Sequence, residues 1–145
     1  MTYATQADLT ARFGEDELIQ LTDRSGAGTV DASVVNAALA DADALINGYL
    51  AGRYGVPVSP VPALLTRIAC DLARHQLHGK ATTDSVTAAQ EQALRMLRDL
   101  ASGTAVLTGA APPAAGASPA SSPGLVRMAT PDRATDRASL ADYLG

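Results

Sequence analysis

The sequence predicts an all-α fold, a small bundle of about four to five helices with a long extended C-terminal arm. Apolar residues recur at spacings of three and four along several segments, which is the pattern of amphipathic helices. The apolar content is rich in Ala, whereas aromatic residues make up 3% of the chain and Trp is absent. We therefore expect closely packed helices around a modest core. A chain of 145 residues suits one such domain.

Two short helices and a loop are predicted at the start of the chain. Thr5 can cap the first helix, and Gly14 is suited to end it because glycine tolerates the backbone angles found there. A second helix is predicted from about Asp16 to Thr22. The residues that follow, 24–28, include Gly and Ser and predict a flexible loop.

The strongest helical pattern runs from Asp31 to about Leu50. Its apolar stripe repeats at spacings of three and four through Val35, Leu39, Ala42, Ile46 and Tyr49. Asp41, Asp43 and Asn47 lie off this stripe, so we expect them on the polar side of the helix. This helix should form the centre of the domain.

Glycine and proline separate the third helix from the fourth. Residues 51–62 read Ala-Gly-Arg-Tyr-Gly-Val-Pro-Val-Ser-Pro-Val-Pro, and prolines fix φ and remove backbone donors. A fourth helix is predicted from Pro62, which fits the first turn, to about residue 78.

The composition changes after the last long helix, which is predicted to start near Asp84 and to be capped by it. Residues 104–107 predict a short extended piece that ends a helical bundle domain of residues 1–107. Residues 108–124 contain almost only Ala, Pro, Gly, Ser and Thr, and predict a linker. Residues 125–145 regain Leu, Val, Met and Tyr, and predict a docking arm.

The arm is expected to bind another polypeptide, although a frayed chain end is the alternative. Its candidate partner-binding residues are Leu125, Val126, Arg127, Met128, Arg133, Arg137, Leu140, Tyr143 and Leu144. Arg53 and Tyr54 are further candidates in the turn after the third helix. They can either contact another subunit or pin the turn through bonds to its backbone carbonyls, and the sequence favours pinning.

Charge is unevenly distributed along the chain. The net charge is −4, which argues against non-specific attraction to nucleic acid. Acidic residues dominate residues 1–52, whereas residues 53–107 carry a small basic excess. Two halves of opposite sign would suit head-to-tail packing of subunits in a ring, and a mosaic of solvated faces is the alternative.

Several classes of protein are disfavoured by the sequence. Cys70 is the one cysteine, so no internal disulfide is expected, and its position on an apolar helix face predicts a buried thiol. The N-terminus lacks the pattern of a signal peptide, and no apolar run is long enough to span a membrane. We therefore expect a protein made in the cytoplasm and not embedded in a membrane.

A metal site or an active site is also disfavoured. Asp71, His75 and His78 have a spacing that can place three ligands on one side of a helix, which would suit zinc. Arg67 and Arg74 offer Asp71 more ordinary partners at four and three residues. No nucleophile has a base at a helical spacing that would bring the two together, so we expect neither catalysis nor a cofactor.

The segment between residues 28 and 77 resembles a known family. The runs that carry the resemblance are Gly-Thr-Val-Asp, then Ala-Leu-Ala-Asp-Ala-Asp-Ala-Leu-Ile-Asn-Gly-Tyr-Leu-Ala-Gly-Arg-Tyr, the proline segment, and Ile-Ala-Cys-Asp-Leu-Ala-Arg-His-Gln-Leu. They are similar to the head–tail joining or adaptor (connector) proteins of Mu-like tailed bacteriophages. The linker is longer and richer in Ala and Pro than this family leads us to expect.

The resemblance implies a virion protein at the head–tail interface. By this resemblance, the chain is expected to form a ring of twelve subunits that binds beneath the portal protein and extends the DNA channel. The other partner of such adaptors is the next connector or a tail terminator protein, and their C-terminal arms reach the portal or a neighbouring subunit. DNA would pass through the channel without specific binding, which an acidic surface would favour.

Two other functions are compatible with the sequence. One is a cytoplasmic scaffolding or regulatory module that binds a host or phage protein and never enters the virion. The other is a small metal-dependent hydrolase, which would depend on Asp71, His75 and His78 alone. The presence of the protein in purified particles distinguishes the first of these from an adaptor.

Overall fold

A computed structural model describes residues 1–113 as a bundle of five α-helices. The helices are α1 (Gln6–Phe13), α2 (Glu15–Thr22), α3 (Ala32–Leu50), α4 (Ala63–His78) and α5 (Asp84–Ser102). The predicted all-α class is confirmed, since the described residues contain no β-strand. Most of the predicted linker and the whole predicted arm lie outside the described residues.

The starts of the helices follow local capping chemistry, with two differences from the sequence prediction. Thr5 and Asp8 form a capping box at α1, in which the Asp8 carboxylate accepts the Thr5 N–H at 2.8 Å. The N-cap of α5 is Thr83 and not Asp84, because the Thr83 hydroxyl reaches the Val86 N–H. Asp84 is the first helical residue, where its negative charge favours the positive end of the helix. Pro62 likewise precedes α4 as its N-cap.

Helices α3 and α4 form the centre of the bundle. Helix α5 and helix α1 each pack against both of them, while α2 packs against α1 and α4. The largest fully buried side chains come from every helix: Leu9, Leu18, Val35, Ile46, Leu50, Leu65, Leu97 and Leu100. The prediction that α3 is central is therefore confirmed.

Asp43 on α3 is buried, contrary to the polar position that its spacing predicts. Only 8% of its surface is exposed, and its Oδ1 accepts the Tyr3 N–H at 3.0 Å. The N-terminal segment crosses α3 at this point and covers a side that periodicity alone assigns to solvent. A buried polar contact therefore lies beside the apolar stripe of α3.

Residues 104 and 105 form a bend and residues 106 and 107 have no regular secondary structure, so no strand forms where the sequence suggests a short extended piece. Leu107 is 5% exposed and its N–H donates to the Tyr54 hydroxyl at 3.2 Å. A side chain from the α3–α4 connection therefore holds this segment on the bundle. The chain stays on the bundle beyond residue 107, since the Ala111 carbonyl accepts the Gly55 N–H at 3.1 Å.

Candidate partner-binding surface

Tyr54 lies in the turn that follows α3, with its side chain directed into the bundle. Its N–H donates to the Leu50 carbonyl at 2.8 Å, which continues the last turn of the helix. The side chain is 6% exposed and its hydroxyl accepts the Leu107 N–H. Tyr54 thus pins the α3–α4 connection to the chain that follows α5. Of the two alternatives for Tyr54, the structure therefore shows pinning and not an exposed subunit contact. The hydroxyl bonds to a backbone N–H, whereas the sequence suggested a backbone carbonyl.

Arg53, by contrast, is exposed and lies across the end of α5. A Cβ placed on Gly103 would be 2.5 Å from Arg53 Nη1, so the guanidinium occupies the space that a side chain would take. Gly103 has φ +86°, the left-handed conformation that favours glycine at a helix end. A cation at this place also complements the partial negative charge of the α5 C-terminus.

Arg53 belongs to a surface that we call the turn surface, formed by Arg53, Val56 and Val106. Val56 and Val106 are 38% and 70% exposed, which is high for apolar side chains. Ala111 bonds to Gly55, the neighbour of Val56, and the described residues end at Pro113, two residues beyond this contact. The turn surface therefore combines a cation, exposed apolar groups and the origin of the predicted arm.

Tyr3 holds the α3–α4 connection from a second side. Its hydroxyl donates to Asn47 Oδ1 at 2.5 Å and accepts the Val58 N–H at 3.0 Å. Burial raises the pKa of Tyr3, and burial also raises the pKa of Asp43, which bonds to the Tyr3 N–H. Sequence analysis missed this cluster because its members are separated by 40 to 55 residues and no local pattern links them.

Glu17 joins α2 to the C-terminal half of α4. Arg74 donates to both carboxylate oxygens, at 2.6 and 3.0 Å, and its guanidinium lies 4.3 Å from the centre of the Phe13 ring. His78 Nε2 is 3.3 Å from Glu17 Oε1. Burial opposes ionisation of Glu17, but the hydrogen bonds and charges of Arg74 and His78 outweigh it and lower its pKa.

The side chains considered as metal ligands are engaged separately. Asp71 pairs with Arg67 at 3.8 Å, and burial raises its pKa. Arg74, the other partner expected for Asp71, instead binds Glu17, because α2 crosses α4 at that turn. Within residues 1–113 no three His, Cys, Asp or Glu side chains are grouped in a way that could hold a metal ion.

Cys70 is fully buried in the core, as its helix face predicts. Burial raises the pKa of its thiol to about 11, so the reactive thiolate is disfavoured at neutral pH. The thiol therefore packs as a small apolar group.

Nine of the predicted partner-binding residues lie outside the described part of the chain. They are Leu125, Val126, Arg127, Met128, Arg133, Arg137, Leu140, Tyr143 and Leu144. Of the predicted set, the structure describes Arg53 and Tyr54, and it exposes the first and buries the second. None of the helices in residues 1–113 is both long and apolar enough to cross a membrane.

Comparison with known proteins gives consistent matches. Residues 3–127 match the sequence model of the family described as "Bacteriophage Mu, Gp36". The chain is 39% identical over 104 residues to "Gene product J" of Escherichia phage Mu, covering 71% of this chain and 74% of that protein. It is 37% identical over 101 residues to "Mu-like prophage FluMu protein gp36" of Haemophilus influenzae, covering 70% and 72%. The chain therefore belongs to the bacteriophage Mu Gp36 family.

Proposed function

We propose that this protein is a head–tail adaptor subunit, a virion structural protein that forms a ring beneath the portal and joins the capsid to the tail. Membership of the bacteriophage Mu Gp36 family carries the proposal. The match extends from residue 3 to residue 127, so it includes the bundle, the linker and the first residues of the arm. The proposed role is structural and requires neither catalysis nor a cofactor.

The turn surface supports an assembly role. Val56 and Val106 expose apolar area next to the exposed Arg53, and such mixed surfaces are common where proteins bind one another. The Tyr54 and Tyr3 hydroxyls hold the backbone around this surface from inside. A surface that is fixed in this way loses little conformational entropy on binding.

The proposed partners are other copies of the chain, twelve in a closed ring, together with the portal protein and the next connector or tail terminator. We assign the portal contact to residues 125–145 and to Arg53. DNA would pass through the ring without specific binding, since the net charge of −4 disfavours adhesion to phosphates.

Truncation after Pro113 tests the proposal in the phage or prophage that encodes the protein. We expect the shortened chain to accumulate as a folded helical protein that no longer attaches to portal-containing heads, so that infectious particles are lost. A matched control replaces residues 114–124 by a Gly/Ser sequence of equal length and keeps residues 125–145. The control should retain particle formation, and a normal yield from the truncated gene would exclude the proposed role of the arm.

Mass spectrometry of purified particles tests the location of the protein. An adaptor must be present in each particle at a ring-like ratio to the portal protein. Its absence from particles that are otherwise complete would instead favour the cytoplasmic scaffolding or regulatory module.

A further inference from the structure

A groove of about 460 Å³ lies at the end of the bundle opposite the turn surface. It is formed where the end of α2, the first turns of α3 and the last turn of α4 meet. Leu21, Val34, Ala37 and Leu77 supply its apolar lining, and Arg24 and Gln76 lie at its polar edge. We refer to it as the α2–α4 groove.

Arg24 lines this groove, and the nearby aspartates bond to groups other than its guanidinium. Asp23 accepts backbone N–H groups from the loop that follows it, including that of Gly28 at 2.6 Å. Asp31 caps α3 by accepting the Ser33 N–H, and Asp41 accepts the Gln76 amide. Arg24 forms no salt bridge within residues 1–113. The hydrogen bonds from Ser33 are the main cause of the lowered pKa of Asp31, and the Arg24 charge adds a smaller contribution. An occupant with apolar groups and one carboxylate would therefore complement the groove.

The chain contains a segment with that chemistry outside the described residues. Residues 140–144 read Leu-Ala-Asp-Tyr-Leu, with Asp142 between apolar side chains. Leu140, Tyr143 and Leu144 have the spacing by which an amphipathic helix places anchors in an apolar groove. The other apolar run in this part of the chain, residues 125–128, carries Arg127 and would bring a second cation towards Arg24.

The chain between Pro113 and Leu140 is long enough to reach from the turn surface to the α2–α4 groove. Ala111 lies against Gly55, beyond the C-terminal end of α3, whereas Ala37 is in the second turn of that helix. The distance along α3 from Leu50 to Ala37 is about 20 Å at 1.5 Å per residue. The residues between Pro113 and Leu140 can span roughly 85 Å when fully extended. Tethering on such a linker gives a segment an effective concentration on the order of 1 mM at its own bundle.

We propose that residues 140–144 occupy the α2–α4 groove of their own chain in the isolated subunit. Leu140, Tyr143 and Leu144 would fill the apolar lining, and Asp142 would pair with Arg24. This inference is independent of the proposed adaptor role, and particle assembly plays no part in its test.

The absence of Trp from the sequence provides a direct probe. In the full-length Tyr143→Trp variant, we expect a blue-shifted Trp emission that is protected from acrylamide. Adding Ala37→Glu should block the groove and return the emission to that of a water-exposed Trp. Ala40→Glu is the matched control, because Ala40 is exposed on the same helix and does not line the groove. It should leave the blue shift unchanged.

A charge reversal tests the pairing within the groove. Arg24→Glu should reduce the blue shift, and Arg24→Glu combined with Asp142→Arg should restore it. Leu140→Asp should abolish the shift without touching the bundle, so the test remains decisive if Ala37→Glu disturbs folding as monitored by circular dichroism.

Three outcomes would overturn the inference. They are a water-exposed Trp in the parent variant, equal effects of Ala37→Glu and Ala40→Glu, and a blue shift that disappears on dilution. The last outcome would assign the groove to the segment of a second copy.

Discussion

The Asp43 carboxylate holds the N-terminal segment on α3 through the Tyr3 N–H. Asp43→Ala removes the acceptor and leaves a buried N–H without a partner, which costs about 1–3 kcal/mol. We expect a loss of that size in the free energy of unfolding measured by urea denaturation. Asp41→Ala is the control on the same helix and should cost less than about 0.5 kcal/mol, because Asp41 is exposed. Similar losses in the two variants would contradict the assigned contact.

The pH dependence of the same site has a definite sign. Because burial raises the pKa of Asp43 above its ordinary value of 3.8, ionisation of this group costs folding free energy. That cost is absent below pH 3.8 and appears as the pH rises through the raised pKa. Asp43→Asn keeps an acceptor but cannot ionise, so its stability relative to the natural protein should increase from pH 3 to pH 7.

Glu17 has the opposite pH dependence. Its pKa is lowered from 4.5, because the bonds from Arg74 and His78 outweigh the effect of burial. The ionised Glu17 therefore adds to the free energy of unfolding above pH 4.5, and this stabilisation is lost as the pH falls through the lowered pKa. Glu17→Gln should cost about 1 kcal/mol at neutral pH, since the pair is partly exposed. The difference from the natural protein should shrink on acidification in thermal unfolding. A difference that grows instead would mean that Glu17 is not ionised in this contact.

At the scale of elements, α3 is one of the two central helices, with α4 and α5 packed against it. Leu39 is 2% exposed at the centre of this helix, and Leu39→Asp would bury an unpaired carboxylate. We expect loss of helical circular dichroism at room temperature, since the cost exceeds about 4 kcal/mol and small domains are only marginally stable. Ala40→Asp, one residue further on the exposed side, should remain folded. A folded Leu39→Asp variant would show that α3 is not the central helix.

The α3–α4 connection is the element that organises the turn surface. It contains proline at three positions and is held from inside by Tyr3 and Tyr54, whose hydroxyls accept the N–H groups of Val58 and Leu107. These bonds satisfy backbone groups that no helix or strand pairs. A non-helical connection can therefore keep one conformation and present Arg53 reproducibly.

For the whole molecule, the boundary of the bundle lies beyond the predicted residue 107. Ala110 packs against the core, and Ala111 accepts the Gly55 N–H. A chain of residues 1–113 should therefore keep these contacts and unfold as an intact bundle. A chain of residues 1–107 should be less stable by about 1 kcal/mol, the usual value of one hydrogen bond. Equal free energies of unfolding for the two truncated chains in urea would show that the bundle ends at residue 107.

Local sequence rules were sufficient for the helices. Apolar spacing located α3 and α4, Thr5 and Asp31 marked helix starts, and Gly14 marked a helix end. Each of these signals depends on residues within one or two turns of the position concerned. The family resemblance was also carried by sequence alone, and the comparisons confirm it at the level of a Mu-like phage family.

The sequence by itself thus determined the helices, their order and the family, because these depend on neighbouring residues in the chain. Only the tertiary structure decided that Asp43 is buried, that Arg74 pairs with Glu17, and that Tyr54 faces inward while Arg53 faces outward. Those outcomes depend on which distant segment crosses each helix, over separations of 40 to 57 residues. Helical periodicity defines the sides of a helix, but the segment that covers each side is fixed by packing.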